Sequence, residues 1–341
     1  MIKFVVPHQW GGVISSLRNL KSYHDDVEVI YLEKFLGNFW RDLAFWNSYS
    51  EPLVLCGGWD SRYDDIIELC SCPIFSYWHS TIYQSELSWG HDVNNEVVYP
   101  RIKFADNFAV EFSQLIHIKQ LLEDNKISGV FVPSEKMCKP LEFTDHLPNT
   151  FNSEEVDFTP RKKVPDSAGC FCAYDPRKNI STQSLGAMSA GKTLYVRKGF
   201  PTEYQKILDC LGVNVRHVAL PSSHKSMTEY WSFLSSMEVT LQVTSSESLN
   251  YAVLESIFCG TPPLFSPACS LYKLDKEFDS FCCIEDIDNP EAISRKINRI
   301  TRNSLNYERA IMSGKRAAEI YSTKSKPLAE KALQKIRTLS T

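Results

Sequence analysis

Residues 245–266 read SSESLNYAVLESIFCGTPPLFS. Just before them, 239–243 (VTLQV) is a short apolar run of the kind a buried strand shows. Leu249, Ala252, Val253, Ser256 and Ile257 then recur at the i, i+3, i+4, i+7, i+8 spacing of one helix face. The helix is expected to stop at Gly260, which suits a left-handed C-terminal cap, and Pro262 and Pro263 cannot continue it. Leu264 and Phe265 open a second strand. The unit is strand, helix, strand. Two carboxylates frame it: Glu247 in the loop ahead of the helix and Glu255 on the helix, with seven residues between them.

That geometry has a use. A helix N-terminus offers free backbone N–H groups and partial positive charge, and so binds phosphate. An acid ahead of it reaches a group hanging from one end of a diphosphate. An acid two turns along reaches a ribose at the other end, a role acidic side chains often take in α/β folds. The same spacing also fits one unit of a parallel sheet with two incidental surface acids, and spacing alone leaves both open.

Working outward, 341 residues suit two domains of ordinary size, and 43% hydrophobic residues is a globular content. No run of 18 apolar residues exists, so no transmembrane helix is expected. The opening MIKFVVP reads as a strand, with neither a basic leader nor a cleavage site, so the expectation is a cytoplasmic protein without a signal peptide. Peripheral association at a membrane surface stays open. Eleven cysteines include Cys70/Cys72 and Cys170/Cys172 at C-x-C spacing and the adjacent Cys282 and Cys283. None has paired C-x2-C spacing, so buried reduced thiols are expected and no metal site.

Charge is uneven. Residues 1–160 hold 12 Lys+Arg against 23 Asp+Glu, a net of −11, and residues 161–341 hold 25 against 18, a net of +7. The positive half suits a phosphorylated ligand. The acidic half argues against a nucleic acid bound there, since such binding rests on Lys/Arg–phosphate contacts.

The rest of the chain alternates strand and helix. Strands are expected at 2–6, 27–32, 53–56, 74–78, 129–134, 169–173, 193–196, 214–218 and 281–284. Helices are expected at 13–20, 36–49, 64–70, 107–123, 135–141, 227–234, 290–302, 307–321 and 327–339. Residues 80–105 read as a long loop, and 159–165 (TPRKKVP) as a linker. Asp286 and Asp288 form a D-x-D, but Asp288-Asn289-Pro290-Glu291 reads better as a capped helix start with an early proline. Gly11 and Gly12 follow the first strand, where a glycine pair suits either backbone approach to a phosphate or a tight turn. His79 directly follows a strand, the end at which α/β folds place ligands; a structural histidine beside the sheet fits equally well. His8 and His91 are lesser candidates. No G-x-G-x-x-G follows a strand, which excludes a dinucleotide oxidoreductase of the usual kind.

Glu247-x7-Glu255 followed by Cys259-Gly260-Thr261-Pro262 resembles the E-x7-E signature of retaining nucleotide-sugar glycosyltransferases of family 4. Asn250, Tyr251 and Ala252 stand where that family usually has Gly, Leu and Pro. Tyr174 to Asn179 resembles the family's G-R-L-x-x-x-K-G segment, with Lys178 matching the lysine and Arg177 a substitute for the missing arginine. Gly11-Gly12 is similar to the family's N-terminal Gly-Gly loop, His79 to its active-site histidine, and Leu147-Pro148-Asn149 to its domain junction.

The resemblance implies an α/β GT-B fold, two Rossmann-like domains facing a central cleft. The expected boundaries are 1–160 on the acceptor side, 166–318 for the donor, and a C-terminal helix at 319–341 crossing back to the first domain. It implies transfer of a sugar from a nucleotide diphosphate-sugar to a carbohydrate or glycoconjugate acceptor, with retention and without a metal or cofactor. Glu247, Lys178 and His79 are the catalytic candidates. Glu255, Arg177, Ser246, Gly11, Gly12 and the N–H groups of Asn250 and Tyr251 are the donor-binding candidates. Surface polysaccharide or glycoconjugate assembly is the expected setting. Two rivals remain: a viral-type enzyme that glycosylates hydroxymethylated DNA bases, and a non-catalytic protein that binds nucleotide sugars.

Overall fold

In the computed structural model the described residues are 1–7, 12–32, 45–79, 105–138, 141–172, 178–198, 202–219, 227–245, 247 and 249–340. They form two compact units, Met1–Asn152 with Thr323–Thr341, and Ser153–Ser322.

The first unit is built on a parallel sheet of β1 (Ile2–Val6), β2 (Val27–Tyr31), β3 (Leu53–Gly57), β4 (Ile74–Trp78), β5 (Gly129–Val132) and β6 (Thr144–His146), in the order β2-β1-β3-β4-β5-β6. The helices between them are α1 (Gly12–Lys21), α2 (Arg62–Leu69), α3 (Ala105–Glu123) and α4 (Glu135–Cys138). A parallel sheet covered on both faces calls for near-continuous apolar runs, and all five residues of β1 are buried, its one charged residue, Lys3, pairing with Glu28. Successive residues serve opposite faces. Val5, Leu53, Leu55, Trp78 and Val130 pack one core; Phe4, Val54, Phe75, Tyr77 and Phe131 pack the other. The second core is completed by Ala329, Ala332, Leu333 and Ile336, from the far end of the chain. Arg337 donates to both carboxylate oxygens of Asp26 (2.9 and 3.0 Å), and Lys326 lies 3.9 Å from the centre of the Tyr23 ring.

The second unit holds β7 (Ser167–Cys170), β8 (Thr193–Arg197), β9 (Val215–Val218), β10 (Val239–Gln242) and β11 (Pro263–Phe265), all parallel, in the order β11-β10-β7-β8-β9. The sheet grows outward from β7 in one direction through β9. The chain then returns to lay β10 on the other side of β7. The crevice between β7 and β10 is thus a topological switch point, where α/β sheets bind ligands at the carboxyl ends of their strands. The helices are α5 (Ile180–Ser189), α6 (Thr202–Cys210), α7 (Met227–Ser235), α8 (Tyr251–Phe258), α9 (Lys276–Cys282), α10 (Pro290–Thr301) and α11 (Ser304–Leu339), the last belonging to the first unit from Thr323 onward.

The stop of α8 has the form its sequence requires. Gly260 takes φ +72°, Thr261 N–H bonds the Ser256 carbonyl (2.9 Å), and Gly260 N–H bonds that of Ile257 (3.1 Å), a Schellman cap. Lys163 buttresses this corner, donating to the carbonyls of Met237 (2.8 Å) and Gly260 (3.0 Å) and to Thr261 Oγ1 (2.7 Å). Burial pulls its pKa down to about 8. At α10, Asn289 Oδ1 accepts from Glu291 N–H (3.0 Å) and Ala292 N–H (3.2 Å), with Pro290 in the first turn.

Two expectations are corrected. Residues 281–284 are not a strand: α9 runs through Cys282, and only an isolated bridge joins Cys283 to Phe265. Asp275 caps that helix by accepting from Glu277 and Phe278 N–H (2.9 Å each), and Phe278, Phe281 and Cys282 then bury one helical face. The two final helices are one, α11, with Pro327 inside it. Proline removes a single helix bond and can kink a helix without ending it, and burial of Ala329, Ala332, Leu333 and Ile336 rewards continuation. The sequence expectation for 36–49 falls largely on residues outside those described, and the loop at 80–105 almost wholly so.

Candidate functional site

The switch point of the second unit gathers the chemistry. Beyond β7 the chain reaches Lys178 at the mouth of α5; beyond β10 it reaches Glu247 ahead of α8. The Lys178 ammonium donates to Glu247 Oε2. Their side chains are 10% and 16% exposed, so the pair sits in a medium less polar than water, where such contacts strengthen.

The local backbone explains why this lysine is placed so firmly. Asn179, the next residue, has φ 50° and ψ 39°, a left-handed conformation that favours glycine and is tolerated by asparagine. The family pattern has glycine there, and Asn179 meets the same requirement. Its Nδ2 donates to the Ile287 carbonyl (2.6 Å). Gln183, fully buried on α5, donates from Nε2 to the Lys178 carbonyl (2.6 Å).

Asn250 stands at the N-cap of α8 and is 4% exposed. Its carbonyl accepts from Val253 N–H (3.0 Å), but its side chain does not cap the helix. Its own N–H and that of Leu271 point at the Cys269 sulfur, while burial pushes that thiol up to about 11. The Asn250 N–H therefore faces a protein sulfur, and its Nδ2 has no hydrogen-bond partner among the described residues. Tyr251 is the first residue of α8.

Glu255 lies on α8 and is 7% exposed. Burial raises the Tyr230 phenol well above its ordinary range; the nearby Glu255 carboxylate pushes the same way and Arg197, at the end of β8, opposes it. Cys172 borders the ion pair. Its sulfur lies 3.6 Å from that of Cys170, and a hydrogen bond from the Cys170 thiol, with help from Lys178, lowers its pKa.

The remaining candidates belong to the first unit or are outside the described residues. His79 belongs to the first unit, at the end of β4. Its N–H bonds the Gly57 carbonyl (3.2 Å) and its ring meets Tyr77 edge-on at 4.2 Å. Its Nε2 is buried without a partner among the described residues, and burial pulls the imidazole down to about 3, so the ring is neutral at neutral pH. Gly12 is the first residue of α1. Gly11, Arg177, Ser246, His8 and His91 are outside the described residues. Among the described residues no group of three or more His, Cys, Asp or Glu could hold a metal ion, and no helix is long and apolar enough to cross a membrane. Sequence reasoning missed Gln183 and Cys269, each of which has one partner far away in sequence, Val243 and Asn250; the C-x-C spacing was the one signal for Cys172.

No family model matches the chain, and no curated protein matches it. Solved structures do. Anabaena HepE in complex with UDP and glucose is 12% identical with TM-score 0.66, each chain being covered over 99% of its length. A sucrose-phosphate synthase from Thermosynechococcus elongatus is 15% identical with TM-score 0.66, again over 99% of both chains. A UDP-forming α,α-trehalose-phosphate synthase from Burkholderia xenovorans is 8% identical with TM-score 0.60, over 100% of this chain and 99% of that one. The chain therefore has the α/β fold of these proteins, the GT-B fold that the resemblance implied.

Proposed function

We propose that this chain is a glycosyltransferase that moves a sugar from a nucleotide diphosphate-sugar to an acceptor hydroxyl with retained anomeric configuration. The observation that carries the reading is the Lys178–Glu247 pair at the switch point of the second sheet, beside the N-terminus of α8. The fold supports it, since HepE is described with UDP and with UDP-glucose.

In the proposed mechanism the diphosphate takes Lys178 from Glu247. The ammonium and the start of α8 then stabilise the charge that grows on the leaving phosphate, in a partly buried site where such stabilisation is strong. Glu247, released, accepts from sugar hydroxyls and steadies positive charge at the anomeric carbon. Glu255 accepts from the ribose hydroxyls. The bond from the anomeric carbon to the phosphate oxygen breaks, and the bond to the acceptor oxygen forms on the same face. The acceptor's proton passes to the departing phosphate oxygen. The charge is neutralised by protein groups, without a metal. The acceptor class proposed is a carbohydrate or glycoconjugate, as in surface polysaccharide assembly; the excess of acidic residues in 1–160 speaks against a DNA acceptor.

A thermal-shift screen against a panel of nucleotide sugars tests donor binding, because a ligand of the native state raises its melting temperature. Glu255→Ala should chiefly weaken nucleotide binding and Lys178→Ala should chiefly lower turnover. Transfer by both variants at the wild-type rate would sink the site assignment, and a product of inverted configuration would sink the stereochemistry.

A further inference from the structure

Gln183 spans the switch point with a single side chain. It is 0% exposed, and its amide has two backbone partners. Nε2 donates to the Lys178 carbonyl (2.6 Å), on the β7 side. Oε1 accepts from the Val243 N–H (2.9 Å), the first residue beyond β10 and four before Glu247. Its own N–H bonds the Asn179 carbonyl (3.2 Å), so the residue is pinned to the turn it holds.

We propose that Gln183 is a positioning residue for the transfer reaction: it fixes the Lys178 turn against the Glu247 loop so that ammonium and carboxylate meet. The catalytic part of this inference rests on the roles given to Lys178 and Glu247 above. A lysine stem is long and flexible, so where its ammonium can reach depends on where its main chain starts. Here that start is held from both sides, by Gln183 at the Lys178 carbonyl and by Asn179 at the Ile287 carbonyl. A planar amide offers a donor and an acceptor at its tip, which a strap between a carbonyl and an N–H requires. Methionine fills the same space with neither. A carboxylate keeps the acceptor and turns the donor into a second acceptor, facing the Lys178 carbonyl. Protonating that carboxyl restores the donor, and burial against a carbonyl favours the protonated form.

The test uses the whole chain as wild type, Q183E and Q183M. Its first arm needs no donor. Amine-reactive labelling read by mass spectrometry reports the protection of Lys178 relative to the exposed Lys162. At pH 8 Lys178 should label about tenfold faster in both variants than in wild type, as the ion pair opens. At pH 6 the protection should return in Q183E and not in Q183M. Unchanged protection of Lys178 in both variants overturns the inference. The second arm measures turnover of UDP-glucose, or of whichever nucleotide sugar the panel selects. Q183E should lose about tenfold in kcat at pH 8, keep KM within about threefold, and recover on acidification where wild type does not. A Q183E profile parallel to wild type, or a loss confined to KM, likewise overturns it. If the labelling changes as expected while wild type binds no nucleotide sugar, the positioning stands and the proposed function fails. Should Q183E not fold, Q183M decides by its labelling at pH 8 and its kcat-against-KM split.

Discussion

The Lys178–Glu247 pair should behave as a resting state that the ligand must break. Lys178→Met keeps the apolar stem and removes the charge, leaving Glu247, 16% exposed, without its cation. Removing one partner of a buried pair costs about 3–5 kcal/mol. For this partly buried pair about 2–3 kcal/mol is expected, as part of the lost attraction is replaced by water. Glu247→Gln keeps an acceptor for the ammonium and should cost about 1 kcal/mol. The double variant removes both charges and should cost less than the sum, with a coupling of about 1.5 kcal/mol. Urea titration read by hydrogen exchange of the peptide that contains β10 follows the second unit alone. The same coupling predicts a gain in ligand binding. If a diphosphate must take Lys178 from Glu247, Glu247→Gln should bind free UDP up to about tenfold more tightly, at 1.4 kcal/mol per decade, even as it loses transfer. Isothermal titration decides this. Additive stability changes, within about 0.4 kcal/mol, or weaker UDP binding by Glu247→Gln, would refute the resting-state argument.

Two further expectations concern the frame around the pair. A Cβ at Gly186 on α5 would lie 2.6 Å from Ile293 Cβ and Cγ2 on α10 and 3.1 Å from the Pro290 carbonyl oxygen. Gly186→Ala should therefore push the helices apart at a cost of about 1–3 kcal/mol, lowering the melting temperature by several degrees; an unchanged melt would refute the contact. Lys163 titrates near 8 when folded against 10.5 when free. Between those values the unfolded chain binds more protons, so stability should rise with pH across that window, by about 3 kcal/mol in all. Urea midpoints at pH 7.5 and 10 for wild type and Lys163→Met measure it, and parallel pH dependence in the two proteins would contradict it.

Much of the fold was legible because parallel strands covered on both faces are largely apolar. The runs at β1, β3 and β4 announced themselves in this way, while β10 (VTLQ) buries Thr240 and Gln242 beside its apolar residues. β6 did not. Thr144, Asp145 and His146 form a short, half-buried edge strand with no apolar signature, and its place is set by pairing with β5. At 281–284 a run of Phe, Cys, Cys and Ile satisfies strand and helix patterns alike, and Asp275, six residues upstream of the run, settles the matter by capping α9. Pro327 misled because a local rule gave way to burial further along the same helix.

The candidate site was legible only one residue at a time. Glu247 and Lys178 stood out through motif spacing, but they lie 69 positions apart, and their contact exists because β10 returns to lie beside β7. Gln183 had no signal at all, since a buried amide bonded to two backbone groups has the same letters as a surface glutamine. Asn250 had a role expected of its backbone N–H, which the fold turns toward Cys269.

The far end of α11 has a consequence for how this chain is made. Ala329, Ala332, Leu333 and Ile336 complete one face of a sheet whose strands all lie before residue 147. A ribosome adding about 5–20 residues each second emits that sheet roughly 10 to 40 seconds before the segment that covers it. Throughout that interval Phe4, Val54 and Phe75 lack part of their native cover. The first unit to emerge is therefore the last to be finished. During synthesis it presents an open apolar face that a chaperone can shield, or a neighbouring nascent chain can capture, before its own terminal helix arrives.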